Sequence, residues 1–339
     1  MKVLMIGGTG NISSPITRKL AENSEHECYV LNRGNKNSSL PENVKVIIGD
    51  INDEGKMKEI LKDYSFDVVC NFITYMPEQA KANIRLFREK TKQFIFISTA
   101  ATYNHEKTVV LREDSEQFNE YSSYGQNKQT CEEIFLEAYR NEGFPITIVR
   151  PTQTYDGTRI PLSIKGKGCY SVINRMKQGK EVIIHGDGTS TWVCTHSEDF
   201  AKGFVGLIGN EKAINNAYQI TSDEVVNWDI IYRILAKELG VEYKPVYITS
   251  DLLSKSKKYD LMMSIKGDKQ YSVVFDTSKI KSIVPDFNCT ITIEEGLKRY
   301  LKMIDENPEL QVIEPDYDEW CDKVISTYKD AIKMVEDII

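Results

Sequence analysis

Tyr124 and Lys128, four residues apart, are the pair in this 339-residue chain best suited to chemistry on an alcohol. Hydride transfer to or from an alcohol needs a base on the hydroxyl proton near neutral pH. A free tyrosine, with a pKa of about 10, is too weakly ionised to serve. A lysine four residues later on a helix lies on the same face, and its ammonium favours the phenolate. The spacing occurs twice, as Tyr103 with Lys107 and as Tyr124 with Lys128. Tyr103 follows closely on an apolar run, where no helix is indicated. Tyr124 opens an amphipathic stretch in which Cys131, Ile134, Phe135 and Ala138 recur at helical spacing. Ser122 or Ser123 can cap that helix and Gly143 is placed to stop it, so Tyr124 with Lys128 is the expected pair. Thr99 ends the run Phe94-Ile95-Phe96-Ile97-Ser98. A hydroxyl at the C-terminal edge of a parallel strand points into a ligand crevice and could hold a substrate oxygen; a strand-end threonine bonding local backbone is the alternative.

Residues 2–6 are apolar and lead into Gly7-Gly8-Thr9-Gly10-Asn11-Ile12-Ser13, after which Ile12, Ile16 and Leu20 keep helical spacing. Glycines here permit a tight turn and let backbone N–H groups approach a pyrophosphate at a helix N-terminus. A glycine cluster alone says little, but its place between a buried strand and a helix points to a dinucleotide. Ser13 stands where a third glycine is usual and is small enough for close helix packing. The second apolar run ends in Asn32-Arg33. An NAD site usually carries a carboxylate at this strand end to bind the ribose hydroxyls. A neutral amide removes repulsion of a 2′-phosphate and a guanidinium can clamp it, so NADP is expected over NAD. Arg33 stacking on adenine, or simply facing solvent, is the alternative. Asp50 can accept from the adenine amino group or act as a turn residue before Ile51, and both readings stand.

These residues need a frame to hold them. Residues 2–6, 27–31, 44–48, 67–71, 93–98 and 146–150 are short, nearly continuous apolar runs, as expected of strands buried on both faces of a parallel sheet. Helical patterns lie between them, with Ala80, Ile84 and Phe87 marking one. The expectation is an α/β fold, a Rossmann-type doubly wound parallel sheet over residues 1–150. After Pro151 the rhythm breaks at Gly157, Pro161, Gly166, Gly168, Gly186 and Gly188. Residues 151–315 are expected to form a smaller substrate-side domain, with some segments returning to the sheet, and residues 316–339 a C-terminal helix.

Composition narrows the function classes. A net charge of −7 favours neither nucleic acid nor an anionic membrane as partner. Seven scattered cysteines without a Cys-x-x-Cys suggest a reduced compartment, with Cys70 a small hydrophobe in a strand. Four histidines without ligand spacing make a metal site unexpected. No segment approaches membrane-spanning length and no signal peptide is read, so a cytoplasmic protein is expected.

Residues 7–13, 50–51, 98–103, 124–128, 150–151 and 186–199 occur in an order that resembles the extended short-chain dehydrogenase/reductase superfamily, in its NAD-dependent epimerase/dehydratase branch. That resemblance implies Thr99, Tyr124 and Lys128 as a catalytic triad. It implies cofactor contacts from Gly7, Gly10, Asn11, Ile12, Asn32, Arg33, Asp50, Ile51, Lys128 and Pro151. Family dehydratases usually follow the threonine with Asp-Glu, whereas Ala100-Ala101 follow here, which disfavours dehydration. Trp192 stands where a diphosphate-binding arginine is usual, and Gln153 at the place of a substrate-contacting asparagine. Trp192 could stack on a base or ring, or pack in the core. Arg159 and Arg175 are candidate phosphate partners, while His196 and Asp199 suit loop stabilisation and helix capping. The resemblance implies an epimerase of a nucleotide-linked sugar, with an NADPH-dependent reductase as alternative and a homodimer among the family's habits. The stretch Phe72-Ile73-Thr74-Tyr75 also looks like an atypical branch containing chloroplast RNA-binding proteins, which have typically lost the catalytic pair.

Overall fold

The computed structural model describes residues 1–164 and 168–339, so Gly166 lies outside the described residues. The chain divides into two compact units. The first comprises Met1–Thr154, Thr195–Asp223 and Phe275–Thr290; the second comprises Tyr155–Cys194, Glu224–Val274 and Ile291–Ile339.

In the first unit the apolar runs become β1 (Lys2–Ile6), β2 (Glu27–Asn32), β3 (Lys45–Ile48), β4 (Phe66–Asn71), β5 (Thr91–Ile97) and β6 (Ile146–Pro151), joined by β7 (Asn216–Ile220). All pairings are parallel, and the spatial order is β7-β6-β5-β4-β1-β2-β3. Strand alternation sends side chains to both faces. Val3 and Met5 pack with Ile16 and Leu20 of α1 (Ser13–Glu22) and with Phe200 and Phe204 of the helix Ser197–Leu207. Leu4 and Ile6 pack on the other face, in a cluster with Met57 of α2 (Glu54–Ile60), Ile84 and Phe87 of α3 (Pro77–Phe87) and Phe135 of α4 (Ser123–Glu142). Each fully buried Val, Leu, Ile or Phe contributes about 1.5–3 kcal/mol relative to exposure, which is why both faces must be apolar. The chain winds outward from β1 in both directions. A crevice therefore opens between β1 and β4, at the carboxyl ends of the strands.

The strand β7 had no apolar run to announce it. Asn216 and Gln219 interrupt it, and Gln219 is buried because its amide is bonded. Its Nε2 donates to the Leu111 and Asp276 carbonyls, and its Oε1 accepts from the Tyr103 hydroxyl.

In the second unit the strand Val182–His185 pairs in parallel with Pro245–Ile248, while Thr191, Trp192 and Val193 pair antiparallel with Asn227, Val226 and Val225. The helix Trp228–Leu239 starts on Asn227, whose side chain accepts from the Ile230 N–H, and stops on Gly240 at φ 68°. The helix Pro315–Glu336 buries Tyr317, Cys321 and Ile325. Arg175 corrects an expectation here. It is buried and held by Asp318 and Asp322 of that helix and by the Glu181 carbonyl, so its guanidinium is spent on structure rather than offered to a phosphate. Among the described residues no helix is long and apolar enough to cross a membrane, and no group of three or more His, Cys, Asp or Glu side chains is arranged to hold a metal ion.

Candidate active site

The carboxyl ends of β1, β2, β3, β5 and β6 carry or lead into residues 7–12, 32–33, 50–51, 99 and 151. The turn after β1 passes through Gly7 at φ 82°, where a Cβ would fall 2.6 Å from Ile73 Cγ2. Gly8 is packed as tightly: a Cβ there would stand 2.9 Å from Val30 and 3.0 Å from both Met5 and Thr17. Ser13 fixes the turn by donating to the Gly7 carbonyl (2.6 Å) and accepting from the Gly10 N–H (2.9 Å). The start of α1 carries no side-chain cap and no acidic residue in its first turn. The positive end of the helix dipole is therefore not offset by a side chain there, as suits a pyrophosphate. This cradle fits a dinucleotide. Asn11 reaches the Thr154 carbonyl (3.4 Å), and Ile12 packs partly into the core beside it.

At the end of β2, Asn32 is turned to local work: its Oδ1 accepts from the Gly34 N–H, and its Nδ2 donates to Asn37. Arg33 is exposed beside it. Asp50 makes the local bonds of a turn, accepting from the Asn52 backbone and side chain (both 3.0 Å), while Ile51 is buried. Pro151 closes β6 in a buried position, and Gln153 follows, partly exposed.

Ser122 caps α4 by accepting from the Gly125 N–H, and Gly143 ends it in the left-handed region. Tyr124 therefore sits in the first turn, 39% exposed, with partial burial raising its phenol. Lys128, one turn on, is only 3% exposed. Its Nζ donates to the carbonyls of Thr74 and Ile97, both at 2.6 Å, and lies 4.7 Å from the Phe96 ring centroid and 5.8 Å from that of Tyr124. Burial pulls its pKa down to about 8. Carbonyls satisfy the ammonium without neutralising it, so its charge stays available to the phenol. Thr99 lies just beyond β5 and caps the short turn Ala100–Thr102, accepting from the Ala101 N–H (3.2 Å). The other Tyr-x-x-x-Lys is a packing element. Tyr103 is fully buried, bonded to Gln219 and Arg150, and Lys107 is exposed outside any helix.

In the second unit Trp192 is buried, at 1% exposure, and Arg159 is exposed. In the first unit, His196 caps its helix by accepting from the Glu198 N–H, and Asp199 is buried against Lys202 and the Thr290 N–H.

Sequence reasoning passed over Gly125. A Cβ there would fall 2.1 Å from the Ala101 carbonyl oxygen, so only glycine lets α4 press its first turn onto the segment that follows Thr99. Gly125→Ala is expected to push that turn away, costing about 1–3 kcal/mol by overpacking and lowering turnover more than nucleotide binding. Denaturant melts and steady-state kinetics on the variant check this, and an unchanged turnover would contradict it. A glycine directly after a helix-opening tyrosine, in a first turn whose capping does not require one, was the available signal.

The comparisons with known proteins agree with this geometry. The model of the NAD dependent epimerase/dehydratase family matches residues 3–221, the stretch from β1 through β7. A UDP-glucose 4-epimerase of Lactobacillus helveticus is 30% identical over 169 residues, 44% of this chain and 51% of the relative, so the match spans about half of that protein's length. A chloroplast stem-loop binding protein (41 kDa b) of Arabidopsis thaliana is 24% identical over 263 residues, 72% of this chain and 66% of the relative. The crystal structure of UDP-glucuronic acid 4-epimerase from Bacillus cereus, in complex with UDP-glucuronic acid and NAD, shares the fold with a TM-score of 0.72 at 21% identity, covering 90% of this chain and 99% of that one. With the family model matched along the whole parallel sheet and its glycine turn, this chain belongs to the NAD dependent epimerase/dehydratase family and is an NAD(P)-binding enzyme of the short-chain dehydrogenase/reductase type.

Proposed function

We propose that the protein is an epimerase of a nucleotide-linked sugar, with Tyr124, Lys128 and Thr99 as its reacting-centre residues and NADP as its cofactor. The observation that carries the reading is Tyr124 in an open first turn with a buried, carbonyl-held Lys128 one turn behind, while alanines replace any acid after Thr99. The nicotinamide, when bound, supplies the hydride acceptor and donor. Tyr124 takes the proton of a sugar hydroxyl, and the Lys128 ammonium favours the phenolate that does so. The Thr99 hydroxyl bonds the same oxygen and holds it in place. The product of oxidation is a keto-sugar; after it turns in the pocket, Tyr124 returns the proton to the oxygen as the opposite face is reduced. The balance is zero, one hydroxyl carbon inverted with no net oxidation. Gly7, Gly10, Asn11 and Ile12 take the pyrophosphate, and exposed Arg33 beside a neutral Asn32 suits a 2′-phosphate.

An NADPH-dependent reductase of the same scaffold is the second reading, favoured by that same Asn32-Arg33 end. Nucleic acid is not the proposed partner, because a chain of net charge −7 offers little to a phosphate backbone. The test has two parts. Mass spectrometry of the nucleotide released on denaturing the purified protein is expected to show NADP; NAD would remove that half alone. Incubation with UDP-sugars is expected to give isomerisation without net change in nicotinamide absorbance, and steady oxidation of NADPH would replace the epimerase with the reductase.

A further inference from the structure

At the end of β4, in the loop that follows and on α3 stand three polar side chains buried almost completely. Asn71, Thr74 and Asn83 are each almost wholly removed from solvent. They bond one another in a ring: Asn71 Oδ1 accepts from the Thr74 N–H (3.0 Å), Thr74 Oγ1 accepts from Asn83 Nδ2 (2.9 Å), and Asn83 Oδ1 accepts from Asn71 Nδ2 (3.1 Å). Two further bonds tie the ring down. Asn71 Oδ1 also accepts from the Ile73 N–H, and Asn83 Nδ2 also donates to the Gln79 carbonyl. A buried amide costs free energy unless all its groups are paired, so a closed ring fixes its members in one arrangement.

The backbone carbonyl of Thr74, in the same segment, receives Lys128 Nζ at 2.6 Å. We propose that Asn71, Thr74 and Asn83 are positioning residues of the site, a hydrogen-bonded ring that holds one backbone carbonyl as the seat of the Lys128 ammonium. The proposal rests on the reading that Lys128 acts on Tyr124. The same loop carries Ile73 against Gly7, so the pyrophosphate turn and the lysine seat share one short segment. A carboxylate at this seat would hold the ammonium more firmly but would cancel its charge; a carbonyl locked by amides places it and leaves the charge intact.

The titratable groups around Lys128 are Tyr124, Cys131 and Glu132 on its own helix, with Arg150 of β6 engaged on Glu132. From β5 it meets the Phe96 ring and the Ile97 carbonyl, and from the β4 loop the Thr74 carbonyl, with Tyr75 of that loop about half exposed. Losing the Thr74 seat removes a partner of the charged form, so the Lys128 titration moves to lower pH.

The test uses the full-length protein with Thr74→Val, which keeps shape and removes the hydroxyl, Asn83→Ala, which opens the ring, and Thr74→Ser, which restores the hydroxyl. Lysine is labelled with 13C and Lys128 is titrated by NMR, the Lys128→Met protein assigning its signal. Thr74→Val and Asn83→Ala are expected to move that titration to lower pH and to reduce kcat about 10-fold with little change in KM for a UDP-sugar, while Thr74→Ser behaves as the parent. A titration that moves without any sugar turnover supports the positioning role and counts against the proposed substrate alone. A Lys128 titration unchanged in both Thr74→Val and Asn83→Ala overturns the proposal.

Discussion

Tyr124→Phe is expected to cut turnover by about 100- to 10,000-fold, the usual worth of a positioned proton-transfer group. The substitution removes one oxygen from a ring that is already partly in solvent, so stability should stay within about 0.5 kcal/mol of the parent. Nucleotide retention should also persist, because the glycine turn and the start of α1 are formed by β1 and Ser13 rather than by α4. The parent enzyme carries a pH signature of the same pair. Burial penalises the charged form of Lys128, so its proton is lost as pH rises through about 8 rather than near the ordinary lysine value. Turnover is therefore expected to decline above about pH 8 as the ammonium that favours the phenolate disappears. Kinetics of both proteins across pH, with circular dichroism and released-nucleotide assays as controls, check the argument. A Tyr124→Phe enzyme keeping more than about a tenth of parental turnover would remove Tyr124 from the chemistry.

The second large effect concerns stability. Arg150 and Glu132 form a buried, two-pronged ion pair: Arg150 Nε and Nη2 donate to Glu132 at 2.9 and 2.6 Å, while Nη1 donates to the Tyr103 hydroxyl and the Glu113 carbonyl. Glu132 lies one turn beyond Lys128 on α4, and Arg150 precedes Pro151 at the end of β6. The pair thus clamps the helix of Tyr124 and Lys128 to the sheet. Arg150→Met leaves a buried carboxylate without its cation and is expected to cost about 3–5 kcal/mol in denaturant unfolding. Arg150→Met with Glu132→Met should recover most of that loss, since an apolar pair of similar volume avoids the desolvation penalty. If the single variant lost under about 1 kcal/mol, the pair would be no more than a surface-like contact. If the double variant were the less stable of the two, the burial argument would fail.

What was legible in the residues alone was local. Runs such as residues 2–6 and 146–150 are apolar throughout because a parallel sheet covered on both faces demands it, and they became β1 and β6. The cap at Ser122, the stop at Gly143 and the spacing of Tyr124 from Lys128 all lie within one helix, so short-range rules sufficed to read them. Tertiary structure alone decided the rest, because it depends on residues far apart in the chain. β7 lacked an apolar signature and was recruited through Gln219, whose partners Tyr103, Leu111 and Asp276 are distant in sequence. Arg175, an open candidate in the residue pattern, was committed to Asp318 and Asp322 more than a hundred residues away. The seat of Lys128 depends on Thr74 and Ile97, carbonyls that carry no side-chain signature and that only the folding of β4 and β5 beside α4 brings to one ammonium. Residue type and spacing can nominate a tyrosine and a lysine; the dry, carbonyl-lined site that sets the lysine's charge exists only once the sheet has closed around it.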